Sequence, residues 1–508
     1  MGSENVVQKL VVVGGGTSGW LSAAYLAKFF ELKGGTAPSI TLIESSDVPT
    51  IGVGEATIPF IKETLQFLGI SEWDFIKNTD ATFKQSIKFI DWNLNSSQKH
   101  YHHNFSQPLH AEQFNYAKHW AAHKDEIGIP YNYAATIQGQ VCDHFLSPKL
   151  PEDKEFEGPL NYAYHLDAGK FATYLKNFSI GKNVNHVIDH ITDVNLTEAG
   201  DVESVLLKTG KLVDGDLFID CSGFIGLLIG KSLKSEFTSL DDVLFVDSAV
   251  TALVPHKDEE LPSATHSTAQ EAGWIWDIGL QSRRGTGYVY SSKYATSDEA
   301  EQTLAKYHDK DVSELQFRHL KMRTGYRKEQ WKNNCVAIGL SAGFIEPLES
   351  TGIYLVEIAL RTLTNLLPTK KNMSSFAAQY NALMLSQFEG AIDFIKLHYV
   401  LSDRADTKFW TDNKLEQSIP NSLQMFLERI KTNVPTHFDL PVGPQCFTLY
   451  SYYAVIYGME SVPETINNRN LNANKKTENL HKEVNEVWNR ANQVLPTHRE
   501  IIDRINQR

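Results

Sequence analysis

Two segments of this chain combine residue types and spacing that narrow the chemistry it can do. Near the start, Gly14-Gly15-Gly16-Thr17-Ser18-Gly19 is a G-x-G-x-x-G run. Backbone amides at such a turn, leading into the positive end of a helix, bind phosphate. Gly14 permits the tight turn, Gly16 lets a pyrophosphate approach the main chain, and Gly19 lets the helix pack closely. Far downstream, Trp274-Ile275-Trp276-Asp277-Ile278 sets two tryptophans at i and i+2. On a strand this puts both indoles on one face, where they either fill an ordinary core or wall off a cavity.

The flanks of the glycine run supply the elements that a dinucleotide site needs. Leu10-Val11-Val12-Val13 reads as a buried parallel strand, and Trp20, Leu21, Ala24, Ala27 and Phe30 recur at helical spacing. A second strand, Ile40-Thr41-Leu42-Ile43, ends at Glu44, an acid placed to accept from a ribose hydroxyl. Two later strands end in turns of small residues, Leu217 to Gly223 and Val336 to Gly343, the second containing Gly339. Strands that return to the nucleotide site after long insertions point to FAD. Gly223-Phe224-Ile225-Gly226 lacks the spacing of a second fingerprint, so no separate nicotinamide domain is expected and reduced flavin is expected from another protein, a flavin reductase.

Five ordered segments resemble the flavin-dependent halogenases of the tryptophan-halogenase family. They are Gly14 to Gly19; Gly52-Val53-Gly54-Glu55-Ala56-Thr57-Ile58-Pro59; Thr82-Phe83-Lys84 with Ile87-Lys88-Phe89; Trp274 to Ile278; and Glu346-Pro347-Leu348-Glu349-Ser350-Thr351-Gly352. Gly279 stands where the family has proline after the tryptophan signature. The resemblance implies an enzyme that uses FADH2, O2 and chloride or bromide to make hypohalous acid, then halogenates a free, electron-rich and indole-like aromatic. It implies Lys84 and Glu349 as catalytic residues, and FAD contacts from Gly14, Gly16, Thr17, Ser18, Gly19, Glu44, Gly54, Glu55, Ala56 and Gly339. Thr351 and Gly352 become the halide site, and Trp274 and Trp276 a barrier between flavin and substrate. His103 and Phe105 become the two faces of an aromatic clamp, with Ser350, Tyr452 and Tyr453 also on the substrate. Tyr452 and Tyr453 lie where several tryptophan-specific relatives place a tryptophan, which argues against assuming free tryptophan.

Each of these residues has a plainer reading. Lys84 and Lys88, about one helical turn apart, could be a solvated helix face. As an ammonium Lys84 would hydrogen-bond hypohalous acid, and as an amine it would form a haloamine; spacing separates neither the routes nor the lysines. Pro347 suits a first helical position, so Glu346 would be the N-cap and Glu349 a capping acid at N3. His100, His102 and His103 suggest a metal, but no second ligand group stands at recognisable spacing, so none is expected.

The elements that must carry these groups read as an α/β fold: an FAD-binding Rossmann-like core, a mixed-sheet substrate region and a mainly helical C-terminal region. The core is discontinuous, about residues 1–90, 155–225 and 330–370, with substrate-side insertions carrying sheet at 91–154 and 226–329 and helices over 371–508. Strands are expected at Ala249 to Leu253, Trp274 to Ile278 and Tyr288 to Tyr290. A polar tail from Asn467 carries Leu480, Val484, Val487 and Trp488 on one docking stripe. A net charge of −13 disfavours a nucleic-acid partner. Four cysteines without framework spacing, no membrane-spanning run and no signal-peptide region in residues 1–9 fit the cytoplasm. The sequence leaves the oligomeric state open, a homodimer included. Two alternatives to a halogenase share the cofactor fold: an aromatic monooxygenase and a non-catalytic flavoprotein.

Overall fold

A computed structural model of the chain describes residues 6–35, 37–47, 54–96, 98–256, 259–370, 372–441, 445–463 and 479–507. Gly52 and Val53 of the expected strap, and the start of the tail at Asn467, lie outside the described residues. The nucleotide half is a six-stranded sheet in the order Trp331–Lys332, Cys335–Ala337, Leu217–Asp220, Lys9–Val13, Ser39–Glu44, Asn185–Ile188. Every pairing is parallel except that of the Trp331–Lys332 edge strand. Lys9–Val13 is central and its apolar residues are buried on both faces, which is why it reads as an unbroken aliphatic run. The helix Thr17–Lys33 follows and ends on Gly34, whose φ of 71° is left-handed. Helices Ala168–Gly181 and Thr351–Asn365 pack against it.

The second half is a seven-stranded mixed sheet in the order Phe317–Lys321, Ser248–Val254, Arg284–Tyr290, Gly273–Gly279, Ala264–Gln270, Ser86–Ile90, His100–Asn104. Ser86–Ile90, within the segment expected to build the nucleotide core, belongs to this sheet. Strand alternation gives the sheet two unlike faces. Val250, Ile275, Tyr288 and Tyr290 pack with helix Ser297–Tyr307 on the outer face, while Trp274, Phe89, Tyr101 and Ala249 join the main core on the inner face. The register carries one inner row from Ile278 through Thr265 and Ile87 to His103, and another from Trp276 through Ser267 and Phe89 to Tyr101. Three strand spacings separate the tryptophan strand from the histidine strand, about 14 Å.

A small sheet of Gly54–Ala56, Ala163–Asp167 and Thr82–Lys84 joins the two halves. Lys84 and Lys88 therefore sit on consecutive strands rather than on a helix face. The C-terminal region is helical, with a long helix, Met373–Leu401, and a final pair, Leu480–Val494 and His498–Gln507. Leu480 and Val484 are buried, as the stripe predicts, and Trp488 packs on His144.

Candidate functional site

The glycine turn packs tightly against its neighbours on one side and is open on the other. Gly14 has φ 113°, and a Cβ there would overlap the Cys221 carbonyl; one on Gly19 would overlap the Gly14 carbonyl. Gly16, by contrast, has no atom within 4 Å of where its Cβ would stand. The turn opens on a cavity of about 1080 Å³, above the size that drug-like ligands occupy. Thr17, Ser18, Glu44, Glu55 and Gly339 line it too. The Glu44 carboxylate accepts from His186 Nε2 at 2.7 Å and Lys176 Nζ at 3.1 Å, which fixes it at the cavity wall. Glu55 sits on the strap strand, where burial and then the Asp167 charge push its carboxyl up to about 7. A long dinucleotide fits these residues.

Trp274 and Trp276 form part of the same wall. A side chain at Gly287 would overlap the Trp276 ring, so the bare glycine backbone is the floor on which that indole lies. The Trp276 indole N–H is buried without a hydrogen-bond partner among the described residues, while that of Trp274 is directed to Glu346 and Tyr399. Gly279, where the family has proline, is held by strand pairing with Arg284 and by the Thr82 hydroxyl, which donates to its carbonyl at 2.5 Å. Those bonds do the restraining that a proline ring would otherwise do.

Lys84 leaves the small sheet fully buried. Its ammonium donates to Ser350 Oγ at 2.7 Å and stands 5.2 Å from the centre of the Phe105 ring. Burial pulls its pKa down to about 7, against the opposing charge of Glu349. Ser350 lines the nucleotide cavity, so the cavity reaches the residue that Lys84 touches. Lys88 points elsewhere: it pairs with Asp143 on the outer face of the large sheet.

Glu349 lies in the short turn Pro347–Glu349, with Pro347 at its first position, and caps no amide. Its Oε2 is 2.8 Å from His103 Nδ1 and its Oε1 2.8 Å from His398 Nε2. Burial works to raise its pKa, but the two histidines outweigh it and hold the carboxyl down to about 2. His398 also places Nδ1 2.8 Å from the Phe394 carbonyl. Both ring nitrogens of His398 thus face oxygen atoms, Nδ1 the Phe394 carbonyl and Nε2 the Glu349 carboxylate. Three residues earlier, Glu346 has the opposite environment: burial pushes it up to about 8, against the pull of Tyr399 and Lys396. One loop therefore holds a protonated acid and a carboxylate, and only Glu349 can accept a proton at neutral pH. Ser350 adopts a left-handed φ of 60° and starts the helix Thr351–Asn365. The first amides of that helix, on Thr351 and Gly352, are unpaired within it, and the buried Thr351 hydroxyl has no hydrogen-bond partner among the described residues.

The residues expected on the substrate divide into two groups. His103 and Phe105 are close, 6.4 Å between ring centres, but their planes cross at 81°, so they do not form parallel faces. Phe394 and Phe447, stacked at 3.9 Å, complete the nest beside His103, and Tyr452 packs edge-on against Phe394. Tyr453 is separate: its hydroxyl donates to the Pro435 carbonyl at 2.6 Å and accepts from Asn115, also at 2.6 Å. His398, Phe394 and Phe447 were not read from the sequence. Each looks like an ordinary core residue of an apolar helix or loop, and only the fold brings it to Glu349.

Comparison with known proteins places the geometry in context. Residues 9–474 match the profile of the family described as tryptophan halogenase. The tryptophan 7-halogenase RebH of Lentzea aerocolonigenes is 35% identical over 97% of this chain and 97% of its own. The crystal structure of a tryptophan halogenase from Shewanella frigidimarina superposes with a TM-score of 0.95 at 36% identity, over 99% of this chain and 98% of that one. Tar14, a tryptophan C-6 flavin-dependent halogenase (chlorinase) from taromycin biosynthesis, gives 0.92 at 32% identity, over 98% and 99%.

Proposed function

The chain belongs to the tryptophan halogenase family and is a flavin-dependent halogenase, and we propose that it passes hypohalous acid to Lys84 to halogenate a free, indole-like aromatic. What supports this reading most is a single arrangement: Lys84, buried and within reach of the Glu349 charge, donates to Ser350, and Ser350 lines the nucleotide cavity. FAD would lie against Gly14, Gly16, Glu44 and the strap. When reduced and supplied with O2, it furnishes the two-electron oxidation of chloride or bromide to hypohalous acid. The amides of Thr351 and Gly352, at the positive end of their helix, would hold the halide.

Trp274 and Trp276 keep the aromatic guest from the nucleotide cavity, so the small oxidant alone makes the passage. Lys84 then donates a hydrogen bond to the hypohalous oxygen and makes the halogen more electrophilic. The ring carbon forms the new carbon–halogen bond, and the oxygen leaves as water with a proton from the ammonium. Glu349 takes the proton that the ring loses, and returning it restores Lys84. His103, Phe105, Phe394 and Phe447 supply the aromatic surface for the guest. The flavin reductase is a separate protein in this reading, and no helix among the described residues is long and apolar enough to cross a membrane. Four thiols that form no disulfide suit a reducing cytoplasm.

The test is an indole panel incubated with the protein, FAD, a flavin reductase, O2 and bromide or chloride. Mass spectrometry should show a singly halogenated product with the isotope pattern of the halide supplied. A hydroxylated product would mean a monooxygenase, and no turnover with any reductase would mean a non-catalytic flavoprotein.

A pH series follows from the ammonium route. Lys84 titrates at about 7, so single-turnover halogenation should fall as pH rises through that value. Glu349, held near 2, contributes no loss on the acid side at working pH. A rate that climbs through 7 would instead assign the neutral amine and a haloamine.

A further inference from the structure

The outer face of the large sheet carries a second cluster, with its back to the active site. His100 and His102 stand at i and i+2 on one strand, so both rings leave on that face, while Tyr101 and His103 leave on the other. Sequence spacing offers no third ligand, but the fold does. Helix Gln138–Asp143 ends over this edge, and Asp143 brings its carboxylate to 3.1 Å from His102 Nε2 and 3.7 Å from His100 Nε2.

We propose that His100, His102 and Asp143 form a site for one divalent transition-metal ion, on the face of the strand opposite the catalytic one. The three ligand atoms lie within 4.8 Å of one another, a span that small side-chain rotations close around one ion. Two imidazoles with one carboxylate suit zinc, cobalt or iron rather than calcium or magnesium, which need oxygen-rich shells. The support behind the ligands is in place as well. Ser86 Oγ meets His102 Nδ1 at 2.9 Å, which leaves Nε2 for the ion, and the Tyr133 hydroxyl donates to Asp143 at 2.6 Å while standing 2.9 Å from His100 Nε2, a contact that an ion must displace. His100 and Asp143 are 28% and 22% exposed at the side chain, so an ion can enter and keep water in its remaining positions.

Lys88 is the competitor. Its ammonium donates to Asp143 Oδ1 at 2.5 Å, on the strand paired beside His102. Without metal it neutralises the carboxylate; with metal it must swing out, and as a partly exposed chain on a flexible stem it can. The site is thus an exchange of an ammonium for a dication. Because His102 is followed by His103, an ion here would brace the strand that presents His103 to Glu349.

The test uses tag-free, FAD-loaded enzyme stripped of metal. Zinc is titrated by calorimetry, and cobalt by its visible absorption, which reports nitrogen and oxygen ligation directly. One ion per chain is expected, with His100→Ala and Asp143→Asn each weakening it about 10- to 100-fold or more. Lys88→Met should tighten zinc binding several-fold, since it removes the competing charge and no ligand. That result is independent of whether the ligand variants fold well. No one-to-one binding, binding that both ligand variants leave unchanged, or weaker binding in Lys88→Met would overturn the proposal. None of these readouts depends on halogenation, so the metal site and the proposed activity stand or fall apart.

Discussion

Lys84→Met should lose ring halogenation by at least about 100- to 1,000-fold while keeping FAD binding and halide oxidation. The reason lies in where Lys84 stands. It touches Ser350, faces Phe105 and is not itself among the residues lining the nucleotide cavity. Methionine keeps most of the volume and removes the donor. Hypohalous acid would still form and would escape, so a small halogen acceptor in solution should collect what the indole no longer receives. Full ring halogenation in the variant would refute the assignment, and so would loss of halide oxidation along with it.

Stability should move the other way. The folded state holds Lys84 at about 7 where an ordinary lysine titrates at 10.5, so the unfolded chain binds more protons between those values. Stability therefore rises with pH across that window, and the full penalty of the buried charge is present below about 7. Methionine removes the penalty, so the variant's Tm at pH 6 should not fall below that of the parent. A side chain that the fold would be better without, yet which is fully enclosed, is explained by chemistry rather than packing.

Local pattern was enough to pick out the glycine turn, Glu44 and the two tryptophans, which the fold brings to the wall of one cavity. The glycine turn, its strands and Glu44 are consecutive in sequence, and the tryptophans declare their common face through a spacing of two. Lys84 was misjudged at the level of the element. Thr82 to Phe89 contains two short strands belonging to different sheets, and the change of sheet at Gln85 sends Lys84 inward and Lys88 outward. No periodicity in so few residues shows such a change. Glu349 was found, but its partners were not. His103 was assigned to the substrate when it also bonds Glu349, and His398 is one polar residue in a long, largely buried helix. Asp143 was missed for a similar reason, because its nearness to His100 and His102 comes from a helix laid over a sheet edge. Those pairs are set by tertiary packing, which one sequence does not display.

The second large effect concerns Glu349. Glu349→Gln should slow ring halogenation by about 100- to 10,000-fold, the range lost with a general base, with FAD binding and halide oxidation retained. Two things change at once. The amide cannot accept the ring proton, because its oxygen is far less basic than a carboxylate. It also upsets the bonding on both sides. The carboxylate accepts from His103 through one oxygen and from His398 through the other, whereas an amide presents NH2 to one of them. His398 has its second nitrogen committed to the Phe394 carbonyl, so its ring cannot turn without breaking that bond. His103 has no such commitment and should be the ring that turns to accept. In the parent enzyme the same two histidines keep the carboxyl near 2, so it remains a base far below neutral pH despite complete burial. If Glu349→Gln turned over unchanged, neither proton removal nor this hydrogen-bonded clamp could be part of the mechanism, and the ring proton would have to leave to water.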